Sequence, residues 1–375
     1  MRQQKADLSW EGLERFPEDL LAWFSEHKRD LPWRRTKDPY HIMVSEVMLQ
    51  QTRVEAVKVY YERFLREFPD LFSLAGAEED RLLKQWEGLG YYSRARNLQR
   101  AASDVCFRFH GKMPASYEEL LKLPGIGPYT AGAIASIAFQ IPVPAVDGNM
   151  YRVLSRLRKD ERLIDLPDTV RSVRKEITEI LPKEEPGVFN QALMELGAIV
   201  CLPNGYPKCG DCPASSYCRA HLEECETGFP KKGEKKKRYI DEKTVLLIRD
   251  GVRTVIRKRG RKGLLAGMYE FPTLEGHLSR REVLEYLNSV GLKAVRIKKL
   301  PAAKHIFTNR EWRMIGYEIR TDELERGLLT GEGREFLFLE KHEAQGEYPI
   351  PSAFSVYAKL LEIDVGSEKL KEKTV

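Results

Sequence analysis

Glu46 sits inside the otherwise apolar run Ile42-Met43-Val44-Ser45-Glu46-Val47-Met48-Leu49. A carboxylate in such a run needs a partner, or desolvation raises its pKa and it keeps its proton near neutral pH. A carboxylic acid protonated near pH 7 can serve as a general acid. The plain alternative is a Glu that turns outward and pairs with Arg53. A second carboxylate, Asp147, lies in Val143-Pro144-Ala145-Val146-Asp147-Gly148-Asn149, where the chain breaks just before a helical pattern from Met150 to Arg158. It can cap that helix or face a reacting centre. Cys201, Cys209, Cys212 and Cys218 read C-x7-C-x2-C-x5-C. Four thiolates in so short a span suit a zinc ion or a [4Fe–4S] cluster, and the spacing does not choose between them. Cys225 lies outside this pattern and reads as a free thiol.

Several elements must position these groups. Leu123-Pro124-Gly125-Ile126-Gly127-Pro128-Tyr129-Thr130-Ala131 lies between two helical patterns. Before it, Ser116-Tyr117-Glu118-Glu119 has capping-box spacing, and after it Pro128 is a good first helical residue. Helix, glycine hairpin, helix leaves backbone N–H groups at a helix N-terminus, a geometry suited to a phosphate oxygen. Upstream, Leu20, Leu21, Trp23 and Phe24 give a helix ending near Lys28-Arg29, followed by the irregular Asp30-Leu31-Pro32-Trp33-Arg34-Arg35. Asp38-Pro39 opens the helix that carries Glu46 and ends on Gln50-Gln51-Thr52. Further helices are predicted over Arg53 to Phe68, Glu78 to Trp86, Tyr91 to Phe109, Thr169 to Ile180 and Gly187 to Val200.

The 375 residues suggest two or three domains, and an apolar share of 42% is enough for real cores. The net charge of +6 favours a polyanionic partner only weakly. No apolar run is long enough to span a membrane, and Met1-Arg2-Gln3-Gln4-Lys5 is unlike a signal peptide, so a cytoplasmic protein is expected. Lys231-Lys232-Gly233-Glu234-Lys235-Lys236-Lys237-Arg238 reads as a charged linker. Beyond it the pattern changes to strands at Lys243 to Arg249, Val252 to Lys258, Leu292 to Lys299, Trp312 to Arg320 and Glu335 to Leu339. Helices at Ser279 to Ser289 and Ala353 to Leu361 complete an α+β unit.

Taken together, these stretches resemble the MutY-type adenine DNA glycosylases of the helix-hairpin-helix superfamily along nearly the whole chain. The resemblance is carried by Arg29-Asp30-Leu31-Pro32-Trp33-Arg34, Val44 to Thr52, Gly88-Leu89-Gly90-Tyr91-Tyr92, the hairpin, Val146-Asp147-Gly148-Asn149 and the four cysteines. It implies a multi-domain chain: an all-α helix-hairpin-helix glycosylase with an iron–sulfur loop, then an α+β Nudix-like domain. The expected bounds are 1–225 for the glycosylase region with its six-helix part at about 32–140, 226–240 for the linker, 241–365 for the Nudix-like domain and 366–375 for a charged tail. The implied reaction is base-excision repair: hydrolytic removal of a flipped adenine mispaired with 8-oxoguanine or guanine in double-stranded DNA. The implied protein is a DNA-associated monomer with no membrane role.

Family roles fall on matching positions. Glu46 becomes the acid that protonates adenine N7, and Asp147 the carboxylate that stabilises the sugar cation, as in a retaining glycosidase. Tyr129 and Asn149 orient these groups. Arg29, Trp33, Arg34, Leu49 and Gln191 line the pocket of the flipped adenine. Gln51 and Tyr91 fill or flank the base stack, while Gly125 and Gly127 grip DNA. Cys201, Cys209, Cys212 and Cys218 hold a [4Fe–4S] cluster. Related bifunctional enzymes resembling endonuclease III carry a lysine where this chain has Tyr129; a phenol cannot form a Schiff base, so the implied enzyme is monofunctional and leaves an abasic site. Phe307-Thr308-Asn309 stands where the family has a lesion-contacting Phe-Ser-His turn. The loop between the first two cysteines is one residue longer than usual. Arg281-Glu282-Val283-Leu284-Glu285-Tyr286 keeps only a remnant of the metal-binding Nudix helix, which favours base reading over pyrophosphate hydrolysis. Removing the chain beyond Arg238 is therefore expected to spare adenine excision. The competing readings are a mismatch glycosylase for thymine or uracil, and a lesion-binding protein without catalysis.

Overall fold

The computed structural model describes residues 10–234, 237–322 and 336–366. Met1 to Lys5, Lys235 and Lys236 of the linker, Glu335 at the expected strand start and the tail from residue 367 lie outside the described residues. The helices of the first half are α1 (Phe16–His27), α2 (Pro39–Leu49), α3 (Val54–Glu67), α4 (Leu71–Ala75), α5 (Glu79–Gln85), α6 (Ser93–Phe109), α7 (Tyr117–Leu121), α8 (Pro128–Phe139), α9 (Gly148–Arg158), α10 (Pro167–Ile180), α11 (Pro186–Ile199) and α12 (Arg219–Leu222). Then come β1 (Tyr239–Arg249), β2 (Arg253–Lys258), β3 (Tyr269–Glu270), β4 (Thr273–Glu275), α13 (Arg280–Ser289), β5 (Arg296–Ile306), β6 (Arg310–Arg320), β7 (Phe336–Glu340), α14 (Lys341–Gly346) and α15 (Ser355–Ala358).

The chain divides into two compact units: residues 1–75 with 97–234, and residues 76–96 with 235–375. The division differs from the linear reading. Residues 76–96, expected in the six-helix part, group with the sheet.

In the first unit, proline and short polar residues set the helix starts. Asp38 accepts the Tyr40 N–H at 2.8 Å and begins α2. That helix stops at Leu49, short of the expected Thr52, and Gln51 takes a left-handed φ of 58°. Ser116 caps α7 through the Glu119 N–H at 3.3 Å. The Glu119 carboxylate does not close the expected box; it binds Arg108 and Lys122 instead. A core of Phe16, Leu20, Trp23 and Phe24 from α1, Met150, Leu154 and Leu157 from α9, and Phe189, Leu193 and Leu196 from α11 packs these helices together. Gly197 of α11 lets α9 come close, because a Cβ there would lie 2.6 Å from the Asn149 Cβ. Any larger side chain would push the two helices apart.

The second unit is built on a sheet of order β3-β2-β1-β6-β5, with β4 added to β1 and β7 to β2. β1 and β6 run parallel, in register from Tyr239↔Arg310 to Arg249↔Arg320. β1 is buried on both faces: Val245 and Leu247 enter one core, Leu246 and Ile248 the other. Such a strand reads as a continuous apolar run. β5 continues past the expected Lys299 to Ile306, and Pro301 is accommodated where the register slips between Leu300 and Ala303. Ser279 and Glu282 form a full capping box on α13. One of the two remnant Nudix glutamates is thus committed to its own helix, and Glu285 pairs with Arg281 at 3.5 Å.

Candidate active site and metal centre

Five segments of the first unit converge on one solvent-open cleft of about 170 Å³. The segment before α2 supplies Arg29, Trp33 and Arg34, α2 supplies Glu46 and Leu49, α8 supplies Tyr129, and the turn into α9 with α11 supplies Asp147, Asn149, Gln191 and Glu195.

Glu46 is only 5% exposed, because its neighbours on α2 are buried on every side. Burial, more than any other cause, raises its carboxyl, the hydrogen bond from the Tyr129 hydroxyl lowers it and the Asp147 charge raises it, and the balance stands at about 7. The Tyr129 hydroxyl donates to Glu46 Oε2 and lies 3.7 Å from Met194 Sδ. Its own pKa is raised well above the usual phenol value by burial and by the two carboxylates, so it stays a donor.

Asp147 is the N-cap of α9: Oδ1 accepts the Met150 N–H at 2.8 Å and Oδ2 accepts Asn149 Nδ2 at 2.8 Å. The capping and pocket-facing readings of Asp147 thus hold together. Burial raises its pKa, against the lowering effect of the bonds from Met150 and Asn149. Asn190 of α11, fully buried, holds the segment leading to Asp147. Its Oδ1 accepts the Ala145 N–H at 3.1 Å, and its Nδ2 donates to the Val143 carbonyl at 3.0 Å and to Ser136 Oγ at 2.9 Å.

Glu195 is a residue that sequence reasoning missed. Its side chain is 1% exposed and binds the Arg29 guanidinium twice, Nε to Oε1 at 2.8 Å and Nη2 to Oε2 at 2.7 Å, and Arg34 Nη2 at 2.9 Å. Burial would raise its pKa, but the hydrogen bonds from Arg29 and Arg34 outweigh this and hold the carboxyl down at about 2. Both arginines are therefore fixed as pocket walls. The signal was present in the spacing: Glu195 stands four residues after Gln191 on the same helix face.

The remaining expected residues lie elsewhere. Gln51 is exposed and outside the cleft lining. Gly127 is the extended N-cap of α8, and Gly125 takes a φ of 75°. Tyr91 belongs to the second unit, where its hydroxyl lies 2.6 Å from Thr308 Oγ1. Phe307 turns inward, with ring centroids 4.6 Å from His305 and 5.1 Å from Trp312. Thr308 and Asn309 are exposed.

Cys201, Cys209, Cys212 and Cys218 line a single cavity together with Arg156, His221 and Glu226. Burial first, then neighbouring thiolates and, at Cys209, Glu226, push Cys209 and Cys212 up to about 12 and Cys218 to about 11. A cationic centre would take these cysteines as thiolates, because ligation deprotonates them. Arg156 Nη1 reaches Cys201 Sγ at 3.2 Å and the Leu202 carbonyl at 2.8 Å. The donor set fits a metal centre. Cys225 does not line the cavity. From the cavity to the cleft runs one chain of bonds. Arg152 Nε donates to the Cys201 carbonyl at 2.8 Å, and its Nη2 to Asn149 Oδ1 at 2.9 Å. Asn149 in turn holds Asp147.

Known proteins resemble this chain over most of its length. Residues 44–183 match the HhH-GPD superfamily of base excision DNA repair proteins, and residues 244–360 match the NUDIX domain. The chain is 34% identical to an adenine DNA glycosylase of Mus musculus, covering 82% of this chain and 71% of that protein. It is 35% identical to the adenine DNA glycosylase of Buchnera aphidicola subsp. Baizongia pistaciae, over 77% of this chain and 82% of that one. Among solved structures, a thermostable thymine-DNA glycosylase superposes with a TM-score of 0.52 at 27% identity, covering 57% of this chain and all (100%) of the other. A trapped endonuclease III–DNA covalent intermediate shares the fold, with a TM-score of 0.50 over 58% of this chain and 98% of the other.

Proposed function

Because the chain belongs to the adenine DNA glycosylase family of the HhH-GPD base-excision repair superfamily, we propose that it hydrolyses the N-glycosidic bond of adenine opposite 8-oxoguanine in duplex DNA. The observation that carries this reading is the raised carboxyl of Glu46, held by Tyr129 in the cleft that Asp147 also lines. The adenine leaves the stack and enters the cleft. Glu46 gives its proton to N7 as the C1′–N9 bond breaks and its electron pair goes to the base. Asp147 stabilises the cationic sugar, positioned by the amide of Asn149 and the Met150 N–H. Water then adds to C1′ and returns a proton to Glu46. Arg29, Trp33, Arg34, Leu49 and Gln191 surround the base, with Glu195 fixing the two arginines. Gln51, Tyr91, Gly125 and Gly127 act on the DNA around it.

Cys201, Cys209, Cys212 and Cys218 would hold a [4Fe–4S] cluster, which would tie the loop between α11 and α12 into the fold. The protein acts as a DNA-associated monomer. Among the described residues no helix is long and apolar enough to cross a membrane.

The reading is tested by incubating purified protein with a duplex carrying adenine opposite 8-oxoguanine. Free adenine and an intact strand with an alkali-labile abasic site are expected. Borohydride is expected to trap no adduct, since Tyr129 offers no amine. Excision of thymine or uracil from mismatches in place of adenine would assign the cleft to another base, and efficient substrate-dependent trapping would end the monofunctional reading.

The turn Phe307-Thr308-Asn309 supplies lesion preference, through the exposed Thr308 and Asn309. Alanine at all three positions is expected to narrow the gap between 8-oxoguanine and guanine by roughly 1–3 kcal/mol, the scale of one specific base contact. Binding to both duplexes at one fixed salt concentration measures it. An unchanged preference would move lesion reading to another surface.

A further inference from the structure

The loop Gly88-Leu89-Gly90-Tyr91-Tyr92 has an unusual backbone. Gly88, Gly90 and Tyr91 all have left-handed φ, at 101°, 71° and 47°. Such a run persists only where its surroundings fix it, most of all at the non-glycine Tyr91. Within the loop, Trp86 Nε1 donates to the Gly90 carbonyl at 3.1 Å, and Arg94 Nη2 donates to the carbonyls of Leu89 and Gly90 at 3.0 and 3.2 Å. Just before it stands Glu87, a carboxylate only 4% exposed. Glu87 Oε1 accepts the N–H of Ile350 at 3.2 Å, and Oε2 lies 2.9 Å from Lys84 Nζ, which itself donates to the Tyr348 carbonyl at 2.7 Å. Around this clamp, Asp80 binds Lys258 at 2.5 Å and the Tyr269 hydroxyl at 2.8 Å. At the far end, Tyr91 meets Thr308. All these residues belong to the second unit.

We propose that Glu87 is a positioning residue that seats the Gly88–Tyr92 loop on the sheet domain, so that Tyr91 and the Thr308 turn reach DNA as one piece. The use of Tyr91 on DNA rests on the glycosylase reading above; the seating does not. A carboxylate at this depth persists because it has both a cation and a backbone donor. Removing it leaves the Ile350 N–H without its acceptor in the interior. The left-handed run then loses its outer support, while the cleft residues are untouched.

The experiment compares wild type, Glu87→Ala, Glu87→Gln and Lys84→Met by hydrogen exchange and by single-turnover adenine release. In Glu87→Ala, amides of 88–92 are expected to exchange roughly tenfold faster, with those of α8 unchanged. The enzyme concentration for half-maximal adenine release is expected to rise by a similar factor, while the rate at saturating enzyme stays within about twofold. Glu87→Gln keeps an acceptor for Ile350 and should recover most of the protection. If Glu87→Ala does not fold, Lys84→Met carries the test, with faster exchange confined to the same loop. Unchanged exchange at 88–92 in folded Glu87→Ala, or loss of protection spread evenly over the second unit, would overturn the proposal. A wild type that releases no adenine would instead sink the glycosylase reading, and the exchange result would stand by itself.

Discussion

Glu46→Gln is expected to slow adenine release by roughly 10²–10⁴-fold in single turnover, the worth of a positioned general acid. The amide still accepts the Tyr129 hydroxyl, so the fold is kept while the proton is lost. If Glu46 is the general acid proposed above, the rate follows its protonated form, which burial carries up to about 7, so the rate should be full below that value and fall as pH rises through it. The variant should show no such limb. Stability moves with pH in the same sense. The folded pKa lies above the ordinary 4.5, so the contribution of the protonated group is complete below 4.5 and is lost as pH rises through about 7. Glu46→Gln should therefore melt higher than wild type at about pH 8, with the gap closing toward acid pH. Asp147→Asn should be as damaging to the rate, through loss of the negative charge that faces the sugar. Asn is a good N-cap, so α9 should survive that change. A near-normal rate in either variant would remove that residue from the mechanism.

Serine at Cys212 is expected to remove the bound metal and with it the order of residues 197–230. Cys212 is held among Cys201, Cys209 and Cys218, and its thiol is pushed up to about 12. Three thiolates and a hydroxyl make a poor site for a centre built on four sulfurs. Wild-type protein prepared without oxygen should contain iron and sulfide, about four of each for a [4Fe–4S] cluster. The variant should contain neither, and should lose exchange protection around Cys201 and along the C-terminal turn of α11. Arg152 and Asn149 link that region to Asp147, so adenine release should be lost as well. Cys225→Ser should keep the metal. Iron retained in full by Cys212→Ser would mean that the ligands have been misassigned, and zinc in place of iron would correct the cofactor.

Much of this was legible because single residues carried unambiguous physics. A Glu in an apolar helix had to be buried or turned out, and it is buried. Asp147 before a helix pattern was a candidate cap, and it does cap α9. The cysteine spacing announced a metal site. What stayed hidden was long-range pairing. Glu195 is separated from Arg29 by 166 positions, and only folding brings the three charges together. Asn190 looks like any polar residue on a helix until its amide is seen holding the Val143–Ala145 backbone. β3 and β4, of two and three residues, were too short to leave a periodic trace. Truncation after Arg238 also has a wider effect than the linear order suggests. It would strip Glu87 of Ile350 and Lys84 of Tyr348, so the cut would reach the loop around Tyr91.

The membership of residues 76–96 in the second unit has a consequence for synthesis of the chain. α5 and the glycine loop leave the ribosome early, whereas Tyr348 follows Lys84 by 264 positions and Ile350 follows Glu87 by 263. At ~5–20 residues per second, that interval is roughly 13–50 s. Throughout it, the bonds from Lys84 to Tyr348 and from Glu87 to Ile350 cannot form. The cleft and its carboxylates can be complete on the nascent chain while the loop still waits for its seat. A ribosome that stops early would then release a polypeptide with its cleft formed and Tyr91 without its seat.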